Sequence, residues 1–181
     1  MKVKAKILDD KDLNRTIVRL AHQIVDKNKG AENICIIGMR TRGEYIAKRI
    51  AAEINRIENI NLEVGVLDTT LYRDDYRQRL RMPKVQVTNI PFAIDEKNII
   101  LVDDVLYTGR TVRAAMDAIM DFGRPNSIQL VVLIDRGHRE LPIQPDIVGK
   151  SIITSIGEEV RVKLIEVDGV DEVLLIDVNE E

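Results

Sequence analysis

The stretch Ile99-Ile100-Leu101-Val102-Asp103-Asp104-Val105-Leu106-Tyr107-Thr108-Gly109-Arg110-Thr111 decides the fold. Its four leading apolar residues suit a strand buried on both faces. Two adjacent acids end that run, a Thr-Gly-Arg-Thr turn follows, and helical periodicity takes over across Thr111–Phe122. An ordinary turn with an N-cap from Thr108 or Thr111 accounts for the threonines and the glycine. It does not account for two neighbouring carboxylates, which repel each other and need partners. Vicinal hydroxyls are suitable partners. The Thr108–Thr111 segment adds backbone N–H groups, hydroxyls and a helix N-terminus, all suited to a phosphate. Hydroxyls and a phosphate held close together describe a ribose 5-phosphate.

Outward from this motif, strands alternate with helices. Leu13, Ile17, Leu20, Ile24 and Val25 recur at helical spacing over Asp12–Lys27, and Lys29-Gly30 ends the helix. Asn33–Gly38 reads as a buried strand, Gly43–Ile57 as a helix and Leu62–Asp68 as a strand. After the central motif come strands at Ser127–Asp135, Val160–Ile165 and Glu172–Val178. This alternation predicts an α/β chain with a mostly parallel sheet covered by helices on both faces. Ligands of such sheets bind at the carboxyl ends of the strands, where the distinctive residues fall.

Two further segments stand out. Gly38-Met39-Arg40-Thr41-Arg42-Gly43 joins the first buried strand to its helix. Alone it is equally a solvated turn; at the same end of the sheet, its N–H groups and guanidiniums make a second anion site. Thr69–Pro91 is a long polar excursion carrying Arg73, Asp74, Asp75, Arg77, Arg79, Arg81 and Lys84. Its length inside one domain predicts a functional loop or a disordered one.

The chain has 181 residues, 27 basic and 30 acidic, for a net charge of -3. That is the length of one domain (1–181), and its charge excludes a uniformly polyanion-binding surface while allowing a local basic face. Cys35 is the only cysteine and lies in an apolar run, which predicts a buried, inert thiol and no disulfide. With no apolar leader and no apolar stretch near the ~20 residues of a membrane span, a cytoplasmic protein with no membrane partner is expected. No GxxxxGK[ST] loop occurs.

VDDVLYTGRT at 102–111 resembles the signature of type I phosphoribosyltransferases, which bind 5-phosphoribosyl 1-pyrophosphate (PRPP). The resemblance implies that Asp103 and Asp104 hold the ribose hydroxyls and that Tyr107, Thr108, Gly109, Arg110 and Thr111 surround the ribose 5-phosphate. It further implies that Arg40, Thr41 and Arg42 receive the pyrophosphate, and that Arg73 reaches it from a flap at about 69–91. Asp103, Asp104, Arg42 and Arg73 form the implied catalytic set. Mg²⁺ is implied as arriving mainly with PRPP, without a dedicated protein metal site. The implied fold is the type I phosphoribosyltransferase fold: a central sheet flanked by helices, with a small base-binding hood from about 136–160 plus N-terminal residues.

The base is narrowed by further residues. Enzymes for hypoxanthine and guanine carry an Asp just before the Thr-Gly pair, where this chain has Tyr107, so a 6-oxopurine is disfavoured. TRG-x-Y-x-AKR at 41–49, TLYRDD at 70–75, DDVLYTGRTVRA at 103–114 and DRGHRELP at 135–142 together resemble the PyrR family, uracil phosphoribosyltransferases that also regulate pyrimidine genes. Pro145-Asp146-Ile147-Val148-Gly149 is similar to the base-binding segment of purine relatives, which implies base contacts from Ile147, Val148 and Arg136. The family implies uracil and UMP as ligands, a leader mRNA hairpin of pyrimidine genes as partner, and a homo-oligomer, dimer or larger. A pyrimidine-salvage uracil phosphoribosyltransferase without a regulatory role is the alternative reading.

For RNA, Arg15, Arg19 and His22 share one face of the first helix, and His138, Arg139 and Lys150 are the other expected contacts. A charged outer face is also what any soluble helix presents. Val18 and Gln144 depart from the hydroxyl residue and the Arg of relatives, which bears on RNA specificity.

Overall fold

Buried strands carry unbroken apolar runs, and three of them set the architecture of the computed structural model, which describes residues 2–72, 74 and 87–178. β2 (Ile34–Met39) is buried at every position. β4 (Asn98–Leu106) and β5 (Ser127–Asp135) are buried through their middles. Flanked by β3 (Val64–Leu67) and β6 (Ile147–Ser151), they form a five-stranded sheet in the order β3-β2-β4-β5-β6, parallel throughout.

Helices cover both faces. α1 (Asp10–Asn28) and α2 (Arg42–Glu58) present Leu13, Ile17, Leu20, Ile24, Ile46, Ile50 and Ile54 to one face, against Ile36, Ile100, Val102, Val131 and Leu133. α3 (Arg110–Met120) covers the other with Val112, Ala115, Ala118 and Ile119, against Ile37, Ile99, Leu101 and Val132. Asp9 caps α1 by accepting the Asp12 N–H, and Lys29 ends it in the left-handed conformation. Cys35 is buried, and burial pushes its thiol pKa up, as suits an inert core residue.

A second, antiparallel sheet of order β1-β8-β7 comprises β1 (Lys2–Leu8), β7 (Glu158–Lys163) and β8 (Glu172–Asp177), with a short α4 (Ile165–Asp168) between the last two. This sheet is built from residues 2–8 and 158–177, while 147–151 form an edge of the main sheet. Lys2, Lys4 and Lys6 conceal β1 as a strand, because its polar face pairs with Glu158 and Glu172 rather than with water alone.

Candidate functional site

β4 runs farther than its apolar residues suggest, so Asp103 and Asp104 lie within the strand near its carboxyl end. Backbone N–H groups meet their repulsion: Asp104 donates to Oδ1 of Asp103 at 2.9 Å, and Val105 donates to Oδ1 of Asp104 at 2.8 Å. Asp103 is buried and Asp104 partly so. Burial pushes the Asp104 carboxyl above the usual range, with Asp103, the backbone N–H groups and Arg42 opposing that rise.

The first turn of α2 is pressed against this pair. A Cβ on Gly43 would stand 2.7 Å from the Val102 carbonyl oxygen and 3.1 Å from Cα of Asp103, so only glycine allows the approach. Gly38, at the end of β2, would likewise strike Cα of Glu44 at 2.6 Å. Between these glycines, the Arg40–Thr41 peptide is cis and Thr41 is exposed. Arg40 pairs with buried Glu44 at 3.0 Å and donates to the Val87 carbonyl. Arg42 makes a two-pronged pair with Asp168 of α4.

α3 begins at the other side of the pair. Gly109, at φ 91°, turns the chain into the helix, and the Arg110 N–H reaches Oγ1 of Thr108 at 3.4 Å. No side chain caps α3 and no acid occupies its first turn. Its N-terminal N–H groups, together with Thr108 and Thr111, therefore make a positively polarised cradle. The Arg110 side chain pairs with Asp74 and Glu140, both at 2.7 Å. Tyr72 bonds Asp121 through its hydroxyl and accepts from Arg113 through its carbonyl, so the described start of the 69–91 excursion rests on α3. Arg73, the expected flap contact, lies outside the described residues.

Beyond Leu106 a cavity of about 280 Å³ opens toward the second sheet, lined by Tyr107, Arg136, His138 and the 155–159 turn with Val178. Arg136 stacks over the Tyr107 ring and is fixed by donating to the Glu158 carbonyl at 2.8 Å and to Oγ1 of Thr154 at 3.3 Å. Tyr107 thus lines this cavity. Ile147 does not reach it. At 6% exposure Ile147 is packed into the core under α1, and Val148 packs on the α3 side with its carbonyl accepting from Arg19. Ile156, 97% exposed, and Gly157 lie on the wall of this cavity, which Ile147 and Val148 do not line. Thr154-Ser155-Ile156-Gly157 carried the signal, an isoleucine in a polar turn with no core to enter.

Arg15, Arg19, His22 and Lys150 are exposed, and α1 packs on β6, so they share one side of the molecule. Arg19 is also structural, reaching the Val148 and Gly149 carbonyls. Arg139 binds its own loop through Asp135, Ile143 and Tyr107, and His138 bonds the Thr154 carbonyl. His138 lines the cavity, and Arg139 braces the loop beside it.

Among the described residues, no three His, Cys, Asp or Glu side chains stand together as a metal cage. The acidic pair does fit Mg²⁺ delivered on a phosphate group, since that ion takes one or two protein carboxylates and fills its shell with phosphate oxygens and water. No helix among the described residues is long and apolar enough to cross a membrane.

Residues 4–166 match the phosphoribosyl transferase domain family. The chain is 53% identical over 174 residues to the bifunctional protein PyrR of Deinococcus radiodurans, covering 96% of this chain and 95% of that one. It is 55% identical over 175 residues to the bifunctional protein PyrR of Acetivibrio thermocellus, covering 97% and 95%. In fold it is similar to a hypoxanthine phosphoribosyltransferase of Trypanosoma cruzi, with a TM-score of 0.74 at 16% identity over 96% of this chain and 95% of that one. A hypoxanthine-guanine phosphoribosyltransferase of Bacillus anthracis gives 0.69 at 18% identity over 97% and 99%. With the family match over most of its length and such identity along nearly the whole chain, the chain belongs to the phosphoribosyl transferase family and, within it, to the PyrR proteins.

Proposed function

We propose that this protein transfers the phosphoribosyl group of PRPP to uracil, giving UMP and pyrophosphate, and that the UMP-loaded protein binds a hairpin in the leader mRNA of pyrimidine genes. The observation that carries this reading is the position of Asp103-Asp104 between two anion cradles and beside the Tyr107–Arg136 cavity.

Asp103 and Asp104 accept from the ribose hydroxyls and fix the sugar. The N-terminus of α3, with Thr108, Gly109 and Thr111, holds the 5-phosphate. Arg40, Thr41 and Arg42 face the pyrophosphate, with Arg73 as the flap contact. Uracil sits in the cavity between Tyr107, Arg136 and Ile156, its edge read by the Gly157 backbone. As the bond from ribose C1 to the pyrophosphate oxygen breaks and the bond to the uracil nitrogen forms, the proton of that nitrogen passes to water, while positive charge grows on the sugar and negative charge on the departing group. The carboxylate pair lies beside the first and the guanidiniums beside the second, a preorganised arrangement that favours the transition state over the ground state. Mg²⁺ bound to PRPP would be held by Asp103 and Asp104 and would neutralise pyrophosphate charge. Arg15, Arg19, His22 and Lys150 present the RNA surface, acting on phosphates and unstacked loop bases. A homo-oligomer and a cytoplasmic location complete the reading.

The enzymatic half is tested by incubating the protein with PRPP and Mg²⁺ plus uracil, hypoxanthine or guanine, and separating the nucleotides. UMP forms and the purine nucleotides do not; no UMP, or purine turnover equal to it, overturns the assignment.

A further inference from the structure

Arg42 reaches the pyrophosphate cradle already engaged. Its Nε donates to Oδ2 of Asp168 at 3.1 Å and its Nη2 donates to Oδ1 at 2.8 Å, across 126 residues of sequence. Both side chains are largely sheltered, at 30% and 21% exposure. The carboxylate is held by its own turn as well: Oδ2 of Asp168 accepts the Leu164 N–H at 2.9 Å. Arg49, two turns along α2, pins the same segment through Glu166 and Asp171. The α4 turn is therefore bolted to α2 by two arginines, one of which belongs to the cradle.

A ligand that places a pyrophosphate against residues 38–43 must share Arg42 with Asp168 or take it away, and its negative charge is repelled by the same carboxylate. UMP has no group to place there, so it leaves the pair intact. We propose that Asp168 is a specificity-determining residue, competing for Arg42 so that the site favours UMP over pyrophosphate-bearing ligands. The inference rests on the placement of pyrophosphate under "Proposed function". Because each ligand can shift only what it contacts differently, pyrophosphate loosens the docking of α4 on α2 while UMP preserves it. One pocket thereby reports which ligand it holds to the sheet that includes β7 and β8.

Binding of UMP and of magnesium pyrophosphate to the full chain and to Asp168→Asn, measured by calorimetry, tests this. The asparagine keeps an acceptor for the Leu164 N–H but loses the charge. The variant binds pyrophosphate roughly fivefold tighter, the scale of a sheltered ion pair released, while UMP affinity stays within about twofold. Unchanged or weaker pyrophosphate binding, or equal tightening toward UMP, overturns the proposal. In the wild-type chain, which needs no variant to fold, amide hydrogen exchange at 164–168 rises with pyrophosphate and not with UMP; no rise, or the same rise with both, also overturns it. Arg42→Ala separates the two levels. If that change leaves pyrophosphate affinity intact, the placement of pyrophosphate fails. If it weakens pyrophosphate while Asp168→Asn does not strengthen it, only the competition fails.

Discussion

Arg136 lies over Tyr107, with its guanidinium carbon 4.0 Å from the ring centroid. The stack joins the end of β4 to the segment after β5, and the same guanidinium reaches the Glu158 carbonyl. One side chain thus ties the Tyr107 and Glu158 walls of the cavity together. Arg136→Ala removes the cation–π contact and strands a carbonyl. Its KM for uracil is expected to rise about tenfold, the equivalent of about 1.4 kcal/mol, with KM for PRPP much less affected. Steady-state kinetics with each substrate varied checks the split.

Asp104 places function against stability. Burial raises its pKa in the folded chain, so ionising it costs the fold. Its stabilising contribution is therefore present below the unfolded carboxylate pKa and is lost as pH rises through the folded value. Asp104→Asn should therefore melt higher than wild type at pH 7, by roughly 2–4 °C, with the gap closing on acidification, while PRPP turnover falls by about 100-fold or more. Thermal melts from pH 4 to 8 beside UMP formation measure both.

Arg49 is the structural counterpart. Its hydrogen bonds hold the Asp171 and Glu166 carboxyls below their ordinary range. Stability from such groups is present above the unfolded pKa and lost as pH falls through the lowered folded values. Arg49→Met should cost about 1 kcal/mol at pH 7. Urea titrations should then show the wild type's advantage shrinking below the ordinary carboxylate pKa.

Most of the sheet was legible because strands buried on both faces must be apolar throughout; Ser127–Asp135 kept both its predicted ends. The acidic pair and the Gly38–Gly43 loop were legible because charges and glycines at strand ends need a reason. Three features were not. β1 alternates lysines with small and apolar residues, a pattern that only its partner strand resolves. Asp168 looks like any surface acid until α2 brings Arg42 to it. Ile147 and Ile156 are alike in type, and only packing shows one in the core and one on the cavity wall.

On the RNA side, Arg15 is 80% exposed and pairs with Asp12 at 3.7 Å. If it meets a phosphate, Arg15→Ala weakens binding evenly across hairpin sequences and lowers the slope of log K against log salt by about 0.7–0.9. Filter binding across a salt series measures that slope.

On the function proposed above, one site holds PRPP for transfer and UMP as a signal. Affinity for the leader hairpin, measured by gel shift with and without UMP in wild type and in Asp104→Asn, tests it most directly. UMP should tighten RNA binding by about tenfold or more in the wild type, and the response should vanish in Asp104→Asn while UMP-free affinity stays the same. RNA binding indifferent to UMP, or an equal UMP response in both proteins, would contradict it.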